Sequence, residues 1–286
     1  MPRLTGEISA QFEVRGGLTQ LVHTYHASPL KIAKTFRYDN ETSNDSAQSL
    51  EQLGVYMMDC SPGLMSGDHY DINVRLEEGA RVFLTNQSFT KVHPALDREG
   101  GTQHQHLQVG KDALLEYMPE PIMLYKDANL AAETEVRLAQ GATLFFSDIL
   151  CPGRTQRGEL FQYECYVNRM KVWYEEELIF YQCQRIEPAV MTLSAPGSWE
   201  SETHLGNLYI FSDRLTSTHL EALLVSLEES GEITPSIRVG ASLTYKHGLV
   251  VTVMGRHAWE LQALITKAWQ RIRHHLLALT PLLINK

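Results

Sequence analysis

The sequence contains no run approaching the ~20 consecutive apolar residues that a membrane-spanning helix requires. Residues 1–13 alternate polar and apolar side chains and hold no signal-peptide core, so the expected location is cytoplasmic. Cysteine is scarce. Cys60, Cys151, Cys165 and Cys183 form no CxxC pair, and a chain of 286 residues needs no disulfide staples, which predicts free thiols. Positive charge is short as well: 25 Lys and Arg stand against 34 Asp and Glu, a formal net charge of -9. The basic footprint of a nucleic-acid binder is therefore missing. Missing too are a GxSxG elbow, a P-loop, a GxGxxG opening a helix and an HExxH pair. The carboxylates are scattered, with no evident acid–base couple. These absences remove the familiar routes to hydrolysis and nucleotide chemistry, and the chain is expected not to be an enzyme.

What is present is an ordinary globular composition, 43% hydrophobic and 21% charged. Two-residue periodicity dominates the first two thirds. Tyr70, Ile72, Val74 and Leu76 alternate with Asp71, Asn73 and Arg75, the pattern of a strand with one apolar face. Similar runs occupy 80–87, 103–109, 113–117, 134–138 and 142–150, separated by Gly, Pro and Asp turns. Three segments, from Val74, Leu107 and Val136, each read strand, glycine turn, strand, with turn glycines at Gly79, Gly110 and Gly141. The middle copy carries two extra residues between its glycine and its alanine. Such a recurring unit predicts stacked β layers. The polar stretch 39–52 reads as a surface loop.

The last third changes character. Leu220, Leu223, Leu224 and Leu227 have helical spacing, and a strand from Ile237 to Tyr245 turns at Lys246-His247-Gly248 into Leu249, Val251 and Val253. A final helix carries Leu261, Leu264, Ile265, Ala268, Trp269, Ile272 and Leu276 as its apolar stripe. The expected fold class is mainly β, or α+β: a helicoidal stacked β-sheet body with a few helices in the C-terminal third. A single domain over 1–286 is expected, with the β body at roughly 1–195 and a helix–hairpin–helix part at roughly 196–286.

Candidate ligands are sparse. His104 and His106 lie two apart, on one side of a strand. His23 and His26, three apart, face opposite ways, and a dedicated metal site needs three or four convergent ligands. Two Pro-Gly turns, SPGLMSGD at 61–68 and CPGR at 151–154, each place acids nearby: Asp68 in the first, Asp148 and Glu159 in the second. Accepting hydrogen bonds from turn amides would account for such acids without any further role.

Five ordered motifs resemble the UreD (also called UreH) family of urease accessory proteins. They are SPLKIAKTF at 28–36, SPGLMSGD at 61–68, VRLEEGARVFLTNQSFTKVH at 74–93, LEYMPEPIM at 115–123 and SDILCPGRTQRGELF at 147–161. The late GLVVTVMG and the Trp- and Arg-bearing last helix are similar too. Thr35, Ser66, Asn86, Ser88 and Phe89 depart from the family pattern without removing a charged group.

The resemblance implies a non-enzymatic scaffold with a helicoidal β body that binds UreF, reaches the GTPase UreG through UreF, docks on apo-urease and helps deliver nickel. It implies no tightly bound cofactor, nickel(II) passing only transiently, and no membrane or nucleic-acid partner. A conduit must offer weak, isolated ligands and not a trapping cage, so Asp68, Asp148 and Glu159 are expected along the route, with His104 and His106 as further ligands. Tyr117, Met118, Met123, Tyr125 and Trp269 are expected at a partner interface. Two other classes fit an acidic β-rich chain: a glycan-acting hydrolase, which needs two carboxylates roughly 5–10 Å apart across a cleft, and a stand-alone nickel-storage protein. Equilibrium dialysis against nickel(II) separates scaffold from store. A scaffold retains little or no metal, whereas a store retains several ions per chain.

Overall fold

The computed structural model describes residues 5–40, 50–95, 99–229 and 236–284. The molecule is mostly β, with a stacked, solenoid-like arrangement of sheets and helices in the C-terminal third. In chain order the elements are β1 (Thr5–Arg15), β2 (Leu18–Ala27), β3 (Leu30–Asn40), β4 (Leu50–Asp59), β5 (His69–Leu76), β6 (Arg81–Asn86), β7 (Thr90–Val92), β8 (Gly101–Val109) and β9 (Leu114–Tyr117). There follow β10 (Ile122–Leu124), β11 (Asn129–Leu138), β12 (Thr143–Cys151), β13 (Cys165–Tyr174), β14 (Glu177–Ile186), β15 (His204–Ser212), α1 (Ser217–Glu229), β16 (Arg238–Leu243), β17 (Gly248–Gly255) and α2 (Ala258–Leu277).

The three strand-turn-strand repeats form the centre of the stack. Each sends its first strand to one sheet and its second to the other: β5, β8 and β11 lie in the first sheet, β6, β9 and β12 in the second. Repeats pair in parallel and in register, Val74 beside Leu107 and Leu107 beside Val136. The first sheet runs β14-β13-β11-β8-β5-β1-β2 and the second β16-β17-β15-β12-β9-β6-β4-β3, with β7 and β10 beside it.

The register corrects one detail of the repeat. Counting from the paired residues Leu76, Val109 and Leu138, the structural equivalent of Gly79 and Gly141 is Asp112, not Gly110. All three have left-handed backbone, at φ 71°, 71° and 54°, and Asp is among the few side chains that tolerate it. Gly110 serves a different end. A Cβ there would lie 2.6 Å from the carbonyl oxygen of Leu76, so the glycine permits one turn to seat on the previous one. The turns are stitched by amides, Gly110 N–H donating to Leu76 O and Ala139 N–H to Val109 O.

Alternation holds where one face meets water. In β5 and β11 every second side chain is buried, and the inward residues of both sheets share one core that includes Phe12, Val74, Leu107, Val136, Leu144 and Phe146. The middle of the second sheet is covered on both sides, and β12 and β15 are buried at every position. Its outer face carries a second core of Phe83, Phe145, Ile210, Val251 and the stripe of α2. β15, placed between β12 and β17 and buried at every position, has no counterpart in the sequence reading, and neither do β13 and β14.

The second core contains an ion pair. Arg273 on α2 and Glu116 on β9 are both fully buried, and Arg273 Nε donates to Glu116 Oε1 at 2.9 Å. Trp269 Nε1 donates to the same oxygen at 2.7 Å. Gln52 Nε2 donates to Glu116 Oε2 at 2.6 Å, and its own Oε1 accepts from Arg273 Nη2 at 3.1 Å. Gln52 thus corrects the expected surface loop at 39–52. β3 continues to Asn40 and β4 begins at Leu50, with Tyr38 beside Gln52, while residues 41–49 lie outside the described residues. Gln52 is fully buried because its amide completes the network. The four cysteines are free.

Removing one member of a buried, hydrogen-bonded pair strands the other charge, at a cost of about 3–5 kcal/mol. Arg273→Met is therefore expected to lower unfolding free energy by about that amount, and Glu116→Met combined with it to recover part of the loss. Urea denaturation of the three proteins checks both statements.

Candidate functional site

The second sheet is interrupted at one place, and three of the sequence motifs meet there. β9 pairs with β12 from Leu114 beside Thr143 to Tyr117 beside Phe146. Pairing resumes only where β10 places Ile122 beside Leu150. In the preceding coil β6 ends at Asn86, and β7 takes up the ladder at Thr90, beside Ile122. Between Met118, whose amide still donates to Leu84 O at 2.9 Å, and Pro121, whose carbonyl accepts from the Thr90 amide at 3.0 Å, the chain leaves the ladder, since Pro119 and Pro121 have no N–H to give it. At 147–149, β12 keeps β15 on one side, Asp148 beside Asn207, and faces the gap on the other. Side chains replace the lost ladder bonds: Thr85 Oγ1 donates to Met118 O at 2.6 Å, and the Glu120 amide donates to Asn86 Oδ1.

Behind the gap, between the sheets, lies a cavity of about 70 Å³. Its polar wall includes Asp59, Gln105, Glu120, Thr134, Asp148 and Asn168. In front of the gap a groove of about 280 Å³ runs under α2. Pro119, Glu120, Ser147 and Ile149 border both spaces. Gln262 on α2 donates to Glu120 Oε2 at 2.9 Å, fastening the helix to the lip of the gap.

Asp148 is the acid deepest in this arrangement. It is buried, and Asn168 on β13 reaches across from the first sheet to donate to its Oδ2 at 2.8 Å. Burial pushes its pKa up to about 6, the Asn168 hydrogen bond only partly opposing. Burial and the nearby Asp148 charge drive the Tyr166 and Tyr209 phenols well above their ordinary range. Elsewhere on the wall the groups are paired. Tyr117 Oη donates to Gln105 Oε1 at 2.8 Å, Gln105 Nε2 to Thr134 Oγ1 at 3.1 Å, and Tyr70 Oη to Asp59 Oδ2 at 2.9 Å. The site is a small chamber lined by apolar and polar side chains together, with Asp148 as the buried carboxyl whose pKa is pushed up to about 6.

The other expected ligands lie elsewhere. Asp68 accepts from the Met65 amide at 2.9 Å and fastens its own turn. Glu159 is held by Arg154, whose Nε donates at 2.8 Å, and by the Lys126 amide at 3.2 Å. Its pKa is lowered, first of all by the Arg154 hydrogen bond. Both are turn acceptors and neither borders the chamber. His104 and His106 are exposed on the outer face of the first sheet, with Asp71 and Glu133 flanking His104 in the ladder and the His69 ring 4.8 Å away. Among the described residues no three His, Cys, Asp or Glu side chains are placed to hold one metal ion.

The residues expected at a partner face also divide. Tyr117, Met118 and Trp269 are interior, Trp269 fully so, because the gap and α2 enclose them. Met123 and Tyr125 are half-buried, Tyr125 under the Arg154 guanidinium at 4.1 Å. The large apolar side chains most open to water lie elsewhere, Tyr245 at 83%, Leu283 at 80% and Val190 at 76% exposure. Sequence reasoning missed Asp59, Glu120 and Asn168. The available signal was the pair of prolines in MPEP, which marks a break in a buried strand.

A sequence model described as "UreD urease accessory protein" matches residues 4–284. Curated relatives bear the same description. One from Lysinibacillus sphaericus is 32% identical over 232 residues, covering 81% of this chain and 83% of that protein. One from Acetivibrio thermocellus is 31% identical over 253 residues, covering 88% and 91%. One from Sporosarcina pasteurii is 25% identical over 266 residues, covering 93% and 99%.

The raised pKa of Asp148 carries a stability prediction. Below the ordinary carboxylate value of 3.8 both folded and unfolded chains hold the proton, and the buried carboxyl costs nothing. Between there and about 6 the unfolded chain ionises first, so stability falls as pH rises, and above about 6 the loss is complete. Asp148→Asn keeps an oxygen for Asn168 and cannot ionise. It is expected to be more stable than the parent at pH 7.5 by on the order of 2 kcal/mol, with the difference vanishing below pH 4. Paired urea titrations across that range measure it.

Proposed function

The chain belongs to the UreD family of urease accessory proteins, and from that membership we propose that it is a non-enzymatic scaffold for nickel insertion into apo-urease. In this reading it binds UreF, engages the GTPase UreG through UreF, and positions that assembly on the apo-enzyme. Nickel(II) is cargo. It crosses the second sheet through the gap at 118–121, in contact with Asp148 and Glu120, and is not retained.

The observation that carries this reading is the match over 4–284; the chamber supports its finer part. Three carboxyls from different coils, Asp59, Glu120 and Asp148, share a wall with hydrogen-bonded donors and acceptors, and among the described residues no three such side chains converge on one point, so an ion meets footholds without a cage. Below about pH 6 the Asp148 carboxyl keeps its proton and cation entry must displace it, whereas at neutral pH the carboxylate is already ionised and open to a cation. Asp68, Glu159, His104 and His106 lie off this path and are proposed only as outlying contacts. Of the residues expected at a partner face, Met123 and Tyr125 keep surface and are retained as contacts. No helix among the described residues is long and apolar enough to cross a membrane. A cytoplasmic place of action is proposed, where the apo-enzyme would be assembled.

The test is co-expression of apo-urease, UreF and UreG with and without this chain. Omission is expected to leave urease inactive, and normal activation without it would reject the scaffold reading. Asp148→Leu is expected to let the complex form in a pull-down while lowering activation at least about tenfold. Full activation by that variant would reject the route through the gap while leaving the scaffold role standing.

A further inference from the structure

The other end of the same strands holds an unbalanced cluster of cations. Arg81 opens β6, and the ladder carries its row across Leu114 and Thr143 to Ser212. Arg214, two residues past Ser212, reaches back and donates from Nη2 to Thr143 Oγ1 at 3.1 Å. Arg81 and Arg214 line an open recess of about 630 Å³ together with Lys111, Asp112, Asp213 and the turn at Gln140 and Gly141. Lys111 has partners of its own, Glu78 Oε1 at 3.3 Å and Asp112 Oδ2 at 4.0 Å. The arginines do not. Among the described residues, neither Arg81 nor Arg214 forms an ion pair. Of the two acids in the lining, Asp112 lies beside Lys111, and Asp213 is engaged: its Oδ2 accepts from the Gly141 amide and from Tyr174 Oη, each at 2.9 Å.

Arg81 is only half-exposed. Burial lowers its pKa, and the neighbouring charges of Arg214 and Arg273 lower it further, with Glu116 alone opposing them. Glu116 is committed to Arg273, Trp269 and Gln52. A partly desolvated guanidinium beside like charge is unfavourable unless an anion joins it. In a chain of net charge -9, two arginines without a carboxylate partner are not explained by a general excess of cations.

The geometry points to an oxyanion site in this recess, specific for phosphate-class dianions and held by the guanidinium groups of Arg81 and Arg214. Two planar forks present paired N–H donors to a tetrahedral oxyanion, and a dianion neutralises both. A single carboxylate neutralises one and leaves the other repelled. The recess is open to solvent and larger than orthophosphate, so the phosphate can arrive free or on a larger molecule. This site is independent of the gap and of the nickel route.

The test is titration calorimetry on the full chain, carried in its accessory complex if it needs one to stay in solution, at pH 7.5 and constant ionic strength. Sodium phosphate is expected to show one saturable site per chain, with sodium acetate at least about tenfold weaker. Pyrophosphate binding more tightly than orthophosphate would assign the site to a phosphorylated compound, and the reverse order to free phosphate. Arg214→Gln, at an exposed position where folding should survive, is expected to weaken phosphate at least about tenfold. Arg81→Gln should do the same, and Arg81→Lys should restore part of the affinity. The proposal is overturned if phosphate gives no more heat than sodium chloride, if acetate binds equally well, or if Arg214→Gln titrates like the parent.

Discussion

The placement of α2 on the second sheet depends on one buried polar network, centred on Glu116, inside an otherwise apolar layer. Apolar stripes slide over one another at little cost, but a buried carboxylate and guanidinium have one arrangement that satisfies both. Arg273 and Glu116 supply it, and Gln52 extends the lock to β4. With Arg273 and Trp269 fixed, Gln262 is delivered to Glu120 on the lip of the gap. The shape of the chamber's outer mouth is thus set some residues away, by a network that does not touch the chamber itself.

The gap is a local exchange of one kind of hydrogen bond for another. A continuous parallel ladder would seal the second sheet, leaving the two cores separated by backbone. Prolines at 119 and 121 withdraw two donors, and Thr85 and Asn86 of the neighbouring coil take up the freed peptide groups. The result is a polar aperture between two dry layers, bordered by Ser147 and backed by Asp148. The carboxyl is held there against the preference of its surroundings, which favour the protonated form.

Much of this architecture is legible in the order of residues, and what escapes does so for physical reasons. β5, β8 and β11 of the first sheet are readable because one face is wet, so burial and alternation coincide, whereas β13 and β14 of the same sheet have no counterpart in the sequence reading. β15 is buried on both faces and gives no period, and β7 and β10 have three residues each, too few to show one. Arg273 sits at helical spacing from Trp269 yet reads as part of a polar face, since nothing in the chain order announces Glu116 more than 150 residues earlier. Asp68 and Glu159 serve their own turns, and only Asp148 faces the chamber. Its companions Asp59 and Asn168 come from other coils, and their convergence is a property of the stack.

All four margins of the two sheets are formed by strands that run antiparallel to their inner neighbours: β2 and β14 in the first, β3 and β16 in the second. A parallel coil stacks on another parallel coil, so an open stack is a template onto which a second molecule can add and then a third. Reversing the last strand at each border replaces that template with an edge of different hydrogen-bond spacing. A body built from repeating coils is in this way kept to a fixed number of layers, and the edge-on addition that leads from solenoids to fibres is denied its starting surface.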